Sequence, residues 1–347
     1  MNHQRRLLLL GSASAAAAAS IGAPVVAAAA KAGAEVDVHI ELHAVPDQVS
    51  VRPGRPTRVW RYQGKLLRGE TTALDASAGG YLGPTIRVRR GQRIRIDLVN
   101  GLPESTIIHW HGLHVPDDMD GHPRFAIGPG ARYVYEFTVD NRAGSYWYHP
   151  HPHGRTGKQV YAGLAGLFLV SDDEEAALDL PSGAQDLALV IQDRNLDADN
   201  QFVYLDGNTG TAPQRRGMMG EGMMGGGMMG GGMMGGRMMG RGMGSMMAGM
   251  MGVLGDRILV NGSLASSRQV ERRAHRLRLF NASNTRTLKL AWRDQTPLTV
   301  IGSDGGLLAT PLQRDYVVLG PAERVELWVD FSRWPTGSDP VLRSLAF

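Results

Sequence analysis

Residues Ala131–Gly154 read ARYVYEFTVDNRAGSYWYHPHPHG. Tyr133, Tyr135, Phe137 and Val139 fall on alternate positions, with Glu136 and Thr138 between them, the period-two pattern of a strand with one face buried. The turn NRAG follows, then a second apolar run that ends in His149, His151 and His153, again at a spacing of two. The same alternation appears upstream in GQRIRIDLVN, where Ile94, Ile96 and Leu98 interleave with Arg93, Arg95 and Asp97. Turn signals such as AGGYLGP, RRGQ, NGLPES and GPGAR recur roughly every ten residues, and no long helical pattern interrupts them, so the expected fold class is all-β, built as β-sandwiches.

The chain has 347 residues, enough for two globular domains. The first is expected over residues 36–172. The acidic stretch SDDEEAALDLPSG breaks the strand pattern and reads as a linker over 173–184, and a second set of strands (DLALVIQDRNL, DRILVNG, HRLRLFNAS, PLTVIGSDGG, ERVELWVDF) places a similar domain at 185–347. Residues 1–30 combine Arg5 and Arg6 with an Ala-rich apolar stretch, an export signal of twin-arginine character. A periplasmic protein is therefore expected, with no membrane segment after signal cleavage. The formal net charge of +4 is small for this length and the arginines are scattered, which argues against a nucleic-acid partner.

A Met/Gly-rich insert, residues 217–252, interrupts the second domain. Glycine at this density packs poorly, so the insert is expected to be disordered. Fifteen of the seventeen methionines lie in it, mostly as pairs five residues apart: Met218 and Met219, Met223 and Met224, Met228 and Met229, Met233 and Met234, Met238 and Met239. Thioethers are soft ligands that prefer cuprous ion, so these methionines are candidates for copper recruitment, set against a neutral low-complexity insert.

Seven of the eleven histidines lie between His109 and His153. On a strand His109 and His111 share one face while Trp110 takes the other, and His149 and His151 repeat the arrangement. Two such pairs on neighbouring strands converge four imidazoles, a donor set for copper or zinc. His114 and His122 read as ordinary surface residues, and His275, in RRAHRLRLF, as a strand-edge residue.

At these motifs the sequence resembles the multicopper oxidases. HWHGLHVPDDMDG and GSYWYHPHPHGRTGKQVYAGLAGLFLV are similar to the first two of that family's four copper motifs, and QDRNLDADNQFVYL, ILVNG, LRLFNASNTR and IGSDGGLL resemble its second domain. Within the family the sequence most resembles the bacterial periplasmic cuprous oxidases of copper tolerance, with laccases and bilirubin oxidase further off. The resemblance implies two cupredoxin-like (plastocyanin-like) Greek-key β-sandwiches in tandem and a trinuclear copper cluster that reduces dioxygen to water with electrons from a small reductant. It makes His109 a type 2 copper ligand, His111, His149 and His151 type 3 ligands, Asp120 a proton relay and His153 a residue just outside the ligand set.

Two elements of the family pattern do not occur in these residues. There is no cysteine, so no type 1 copper thiolate, and no second histidine quartet. The cysteine requirement also sets aside a copper nitrite reductase. The expectation is an oxidase half-site that is inactive alone and needs a third cupredoxin domain, supplied in trans or encoded downstream. The alternative is a periplasmic copper-binding or sequestering protein without catalysis.

Overall fold

The computed structural model describes residues 35–75, 80–204, 254–264 and 267–347. The expected export signal and the methionines of the insert lie outside these residues. Among the described residues the fold is all-β, as the alternation predicts, and the longest helix has only seven residues (α1, Thr156–Ala162). No described helix is long and apolar enough to cross a membrane.

Residues 38–171 form two sheets. One has the order β2-β1-β5-β7, from β1 (Val38–Val49), β2 (Thr57–Arg68), β5 (Arg93–Asn100) and β7 (Arg132–Thr138). The other has the order β3-β4-β9-β8-β6, from β3 (Leu74–Asp75), β4 (Thr85–Arg89), β6 (Ile108–His111), β8 (Gly144–Pro150) and β9 (Gly166–Ser171). The predicted inward residues meet between them. Ile94, Ile96, Leu98, Tyr133, Tyr135 and Phe137 pack with Trp110, Tyr146, Tyr148 and Phe168 in one core, where Trp110 is wholly buried.

A second sandwich follows the short helix α2 (Asp173–Ala176). Its larger sheet runs β11-β10-β12-β17-β14-β15, from β10 (Asp186–Arg194), β11 (Arg257–Val260), β12 (Ala274–Asn281), β14 (Leu298–Ser303), β15 (Gly306–Arg314) and β17 (Arg324–Asp330). The smaller sheet pairs β13 (Leu288–Trp292) with β16 (Val317–Leu319) and β18 (Leu342–Ser344). Leu277, Leu279, Leu290, Leu298 and Leu327 lie in the core between the two sheets.

The two sandwiches share an apolar boundary. Trp147, Leu167 and Leu169, on the faces of β8 and β9 turned away from the first core, pack with Val190, Leu259, Phe280 and Ala282 of the second sandwich. Every residue of β8 is consequently buried. This explains why SYWY and GLFLV lose the alternation seen in β5 and β7: a strand covered on both faces reads as a continuous apolar run.

His275 on β12 departs from the sequence reading. Arg276 and Arg278 are buried at this boundary, and His275, expected at a strand edge, is buried on an interior strand. His275 stands edge-on to Phe331 and its Nδ1 lies 3.0 Å from the Arg273 carbonyl. Arg278 reaches Asp186 at 2.7 Å and Glu326 at 3.1 Å, and Arg276 reaches Glu326 at 2.7 Å. Glu326 in turn accepts from the Ser145 hydroxyl at 2.6 Å, tying this network to β8. Burial opposes the charge on Arg278, but Glu326, Asp186 and Glu175 outweigh it and raise its pKa. Removing one partner of such a buried pair strands the other charge. Arg278→Met is therefore expected to lower unfolding free energy by about 3–5 kcal/mol in denaturant titration; a loss below about 1 kcal/mol would contradict the network's assigned role.

Candidate metal centre

β6 and β8 pair antiparallel with His109 opposite His149, Trp110 opposite Tyr148 and His111 opposite Trp147. Side-chain alternation then sends Trp110 and Tyr148 into the first core and leaves His109, His111, Trp147 and His149 together on the other face. His151 follows the end of β8, where its N–H donates to the Ile107 carbonyl at 2.8 Å. Its ring centroid lies 5.3 Å from that of His109 and 6.0 Å from that of His149. The structure thus brings together the four histidines expected from the sequence. His109, His111 and His149 present nitrogen atoms within 4.8 Å of one another.

The local sequence fixes the ring orientations. The Tyr135 hydroxyl accepts from Ile108 N–H at 2.8 Å and donates to the Ile108 carbonyl at 3.0 Å, pinning the start of β6. His109 Nδ1 lies 2.8 Å from the Asp120 carbonyl and 3.2 Å from its Oδ1. His149 Nδ1 lies 2.8 Å from the Pro150 carbonyl. A carbonyl oxygen only accepts, so both Nδ1 atoms carry hydrogen, and the neutral form of each ring keeps its lone pair on Nε2, a tautomer open to a metal. His111 Nδ1 faces His149 Nε2 at 3.4 Å.

Trp147 forms a wall. Its ring lies 4.1 Å from the His149 ring and 5.0 Å from the His111 ring, each inclined by about 30°. Burial lowers the His111 pKa to about 4, helped by the nearby Arg324 charge, and burial pushes His149 well below the usual histidine range and His151 below it as well. These three imidazoles are neutral at neutral pH, free to donate lone pairs to a metal. The His151 Nδ1 is buried with no hydrogen-bond partner. A buried ring nitrogen left unpaired is costly, and four converging imidazoles, three of them held neutral by burial, form a donor set suited to copper, so the residues present fit that ion.

Asp120 ends a 3-10 turn, with a half-exposed carboxylate. His153 is exposed. His122 Nδ1 accepts from Arg124 N–H and the His114 backbone N–H donates to Asn141; neither is among the histidines whose nitrogens lie within 4.8 Å of one another. Trp147 and Arg324 were not singled out by sequence reasoning. Arg324 comes from β17 of the second sandwich, and its Nε donates to the Ser145 carbonyl on β8 at 2.8 Å.

Fold and site together define a β-sandwich protein carrying a histidine cluster of the kind that can hold a transition metal. Residues 58–175 match the multicopper oxidase family. The chain is 32% identical over 255 residues to multicopper oxidase mco of Staphylococcus haemolyticus strain JCSC1435, covering 74% of this chain and 48% of that protein. It is also 32% identical over 292 residues to cell division protein FtsP of Escherichia coli K12, covering 83% of this chain and 53% of that one. Among solved structures, the McoA multicopper oxidase of Aquifex aeolicus superposes with a TM-score of 0.68 at 33% identity, over 89% of this chain and 57% of that chain. The chain belongs to the multicopper oxidase family, and its sandwiches are cupredoxin-like. It spans about half the length of the curated relatives it matches.

Gly121 decides whether the Asp120 turn can reach His109. Its φ is +77°, and a Cβ there would fall 1.8 Å from the Ile108 carbonyl oxygen. Gly121→Ala is expected to lower the thermal midpoint and cost more than about 1 kcal/mol, since both the left-handed backbone and the close approach exclude a side chain. Asp120→Ala, which keeps the carbonyl, is expected to be milder. Equal midpoints for the parent and Gly121→Ala would refute this reading of the turn.

Proposed function

We propose that the chain is the copper-binding portion of an exported oxidase of copper homeostasis, which couples oxidation of cuprous ion or a phenolic reductant to reduction of dioxygen to water. The observation that carries the reading is the convergence of four imidazoles, three of them held neutral by burial, in a chain of the multicopper oxidase family. Copper bound there would supply the one-electron chemistry of dioxygen reduction. In this reading His109 is a type 2 ligand, and His111, His149 and His151 are ligands of the type 3 pair.

Asp120 is assigned to proton relay. Its carboxylate, 3.2 Å from His109 Nδ1 and half exposed, sits between that ring and solvent. His153 is placed just outside the ligand set. The missing ligands, a thiolate centre and a second histidine quartet, are assigned to a further cupredoxin domain, in keeping with relatives about twice as long. Met218 to Met239 are assigned to cuprous recruitment on their thioether chemistry. The described chain bordering that insert ends at Tyr204, whose ring packs 5.1 Å from Tyr161 on α1, the helix that follows the second histidine motif. Export by the twin-arginine route to the periplasm rests on residues 1–30.

A second reading, copper binding without turnover, is kept because the 347 residues contain no cysteine and because a relative of equal identity is named for cell division. Chelator competition on the full chain, combined with oxygen-uptake measurement, separates the two. The oxidase reading predicts copper binding that weakens more than about tenfold in His149→Ala, since loss of even an outer-shell partner has that effect. It also predicts dioxygen consumption with a cuprous or phenolic donor once a cysteine-bearing cupredoxin domain is supplied. Binding with no uptake under those conditions would favour sequestration. Failure of the full chain to bind copper would overturn both.

A further inference from the structure

The metal-binding strand β8 is held from outside its own sandwich. Its residues alternate between Tyr146 and Tyr148, which enter the first core, and Ser145, Trp147 and His149, which face the second sandwich or the metal centre. The second sandwich meets each of the first two. Arg324 Nε donates to the Ser145 carbonyl at 2.8 Å, while the Ser145 hydroxyl donates to Glu326 at 2.6 Å. The Phe280 ring packs 4.7 Å from the Trp147 ring, on which His149 and His111 stack at 4.1 and 5.0 Å. At the start of the strand Gly306 docks so closely that a Cβ on it would lie 2.5 Å from the Ala143 carbonyl oxygen.

Each link has a defined geometry. Arg324 is itself locked by the Ala322 carbonyl at 3.0 Å and Asp304 Oδ1 at 2.9 Å, so its guanidinium is a rigid clamp. Trp147 is 5% exposed and its indole N–H finds no hydrogen-bond partner, so ring packing alone sets its position. A stack of Phe280, Trp147 and the two imidazoles therefore runs from the second sandwich to the ligand atoms. Outer residues that orient ligating histidines commonly control metal affinity without touching the ion.

We propose that Phe280 and Arg324 of the second sandwich are positioning residues for the metal centre, setting the His111 and His149 rings through Trp147 and the backbone of β8. The metal in this statement rests on the copper reading above; the ring positioning does not. A second sandwich that only contributed stability would leave the ligand rings where they are when the boundary is trimmed.

The test uses the full chain with Phe280→Ala and Arg324→Met, and Leu290→Ala as a control that opens the second sandwich's own core away from the boundary. Two quantities are read in each: cupric affinity by chelator competition, and the NMR shifts of the His111 and His149 ring protons, which the Trp147 ring current displaces in the metal-free protein. The expected result is a loss of affinity of about 10- to 100-fold in both boundary variants, with the imidazole resonances moving towards ordinary histidine positions, while Leu290→Ala lowers the thermal midpoint and changes neither quantity. Phe280→Leu replaces Phe280→Ala if the latter does not fold, with a smaller change in the same direction expected. Unchanged ring shifts in the boundary variants, or the same shifts in Leu290→Ala, would overturn the proposal. If the parent binds no copper, the copper reading fails and the ring shifts alone decide the positioning.

Discussion

The two-sided burial of β8 is the constraint on which the rest depends. A strand that carries His149 and leads directly into His151 has to be held in register on one side and kept dry on the other. Pairing with β6 places His109 opposite His149, and the second sandwich excludes water from the face that holds Trp147. The cost is a boundary containing charges, met by pairing Arg276 and Arg278 with Glu326, Asp186 and Glu175. Such a network is weak evidence for net stability, but it punishes misdocking, because every displaced partner leaves a buried charge unpaired.

The same burial governs the chemistry at the centre. Imidazoles in water at pH 6 are largely protonated and poor ligands; burial that lowers His111 to about 4 keeps its lone pair available well below neutrality. Backbone carbonyls at Asp120 and Pro150 fix the hydrogen on the far nitrogens of His109 and His149. The chain thus prepares neutral, oriented donors from its own strands before any ion arrives. Membership of the multicopper oxidase family agrees with that preparation, and the chain spans about half the length of the relatives it matches.

Much of this was legible in the sequence because it rests on local periodicity. Alternation in β5 and β7 gave the inward set Ile94, Ile96, Leu98, Tyr133, Tyr135 and Phe137, and the spacing of two in HWH and HPH gave the four histidines that the fold brings together. What was not legible depends on packing between distant segments. Nothing local to RLRLF distinguishes an arginine facing water from one buried opposite Glu326, and nothing around Arg324 marks it as the residue that reaches Ser145 from 179 positions away. His275 was misplaced for the same reason: β12 is interior only because β10 and β17 flank it. A trace of the boundary was present in the unalternating runs SYWY and GLFLV, whose continuous apolarity already required cover on both faces.

The most direct test of the account is a crystal structure of the full chain loaded with copper, with anomalous diffraction recorded at the copper edge. The account predicts anomalous density bounded by His109, His111, His149 and His151, with the Trp147 ring against it. Copper found only elsewhere on the protein, with these four rings left unliganded, would contradict it.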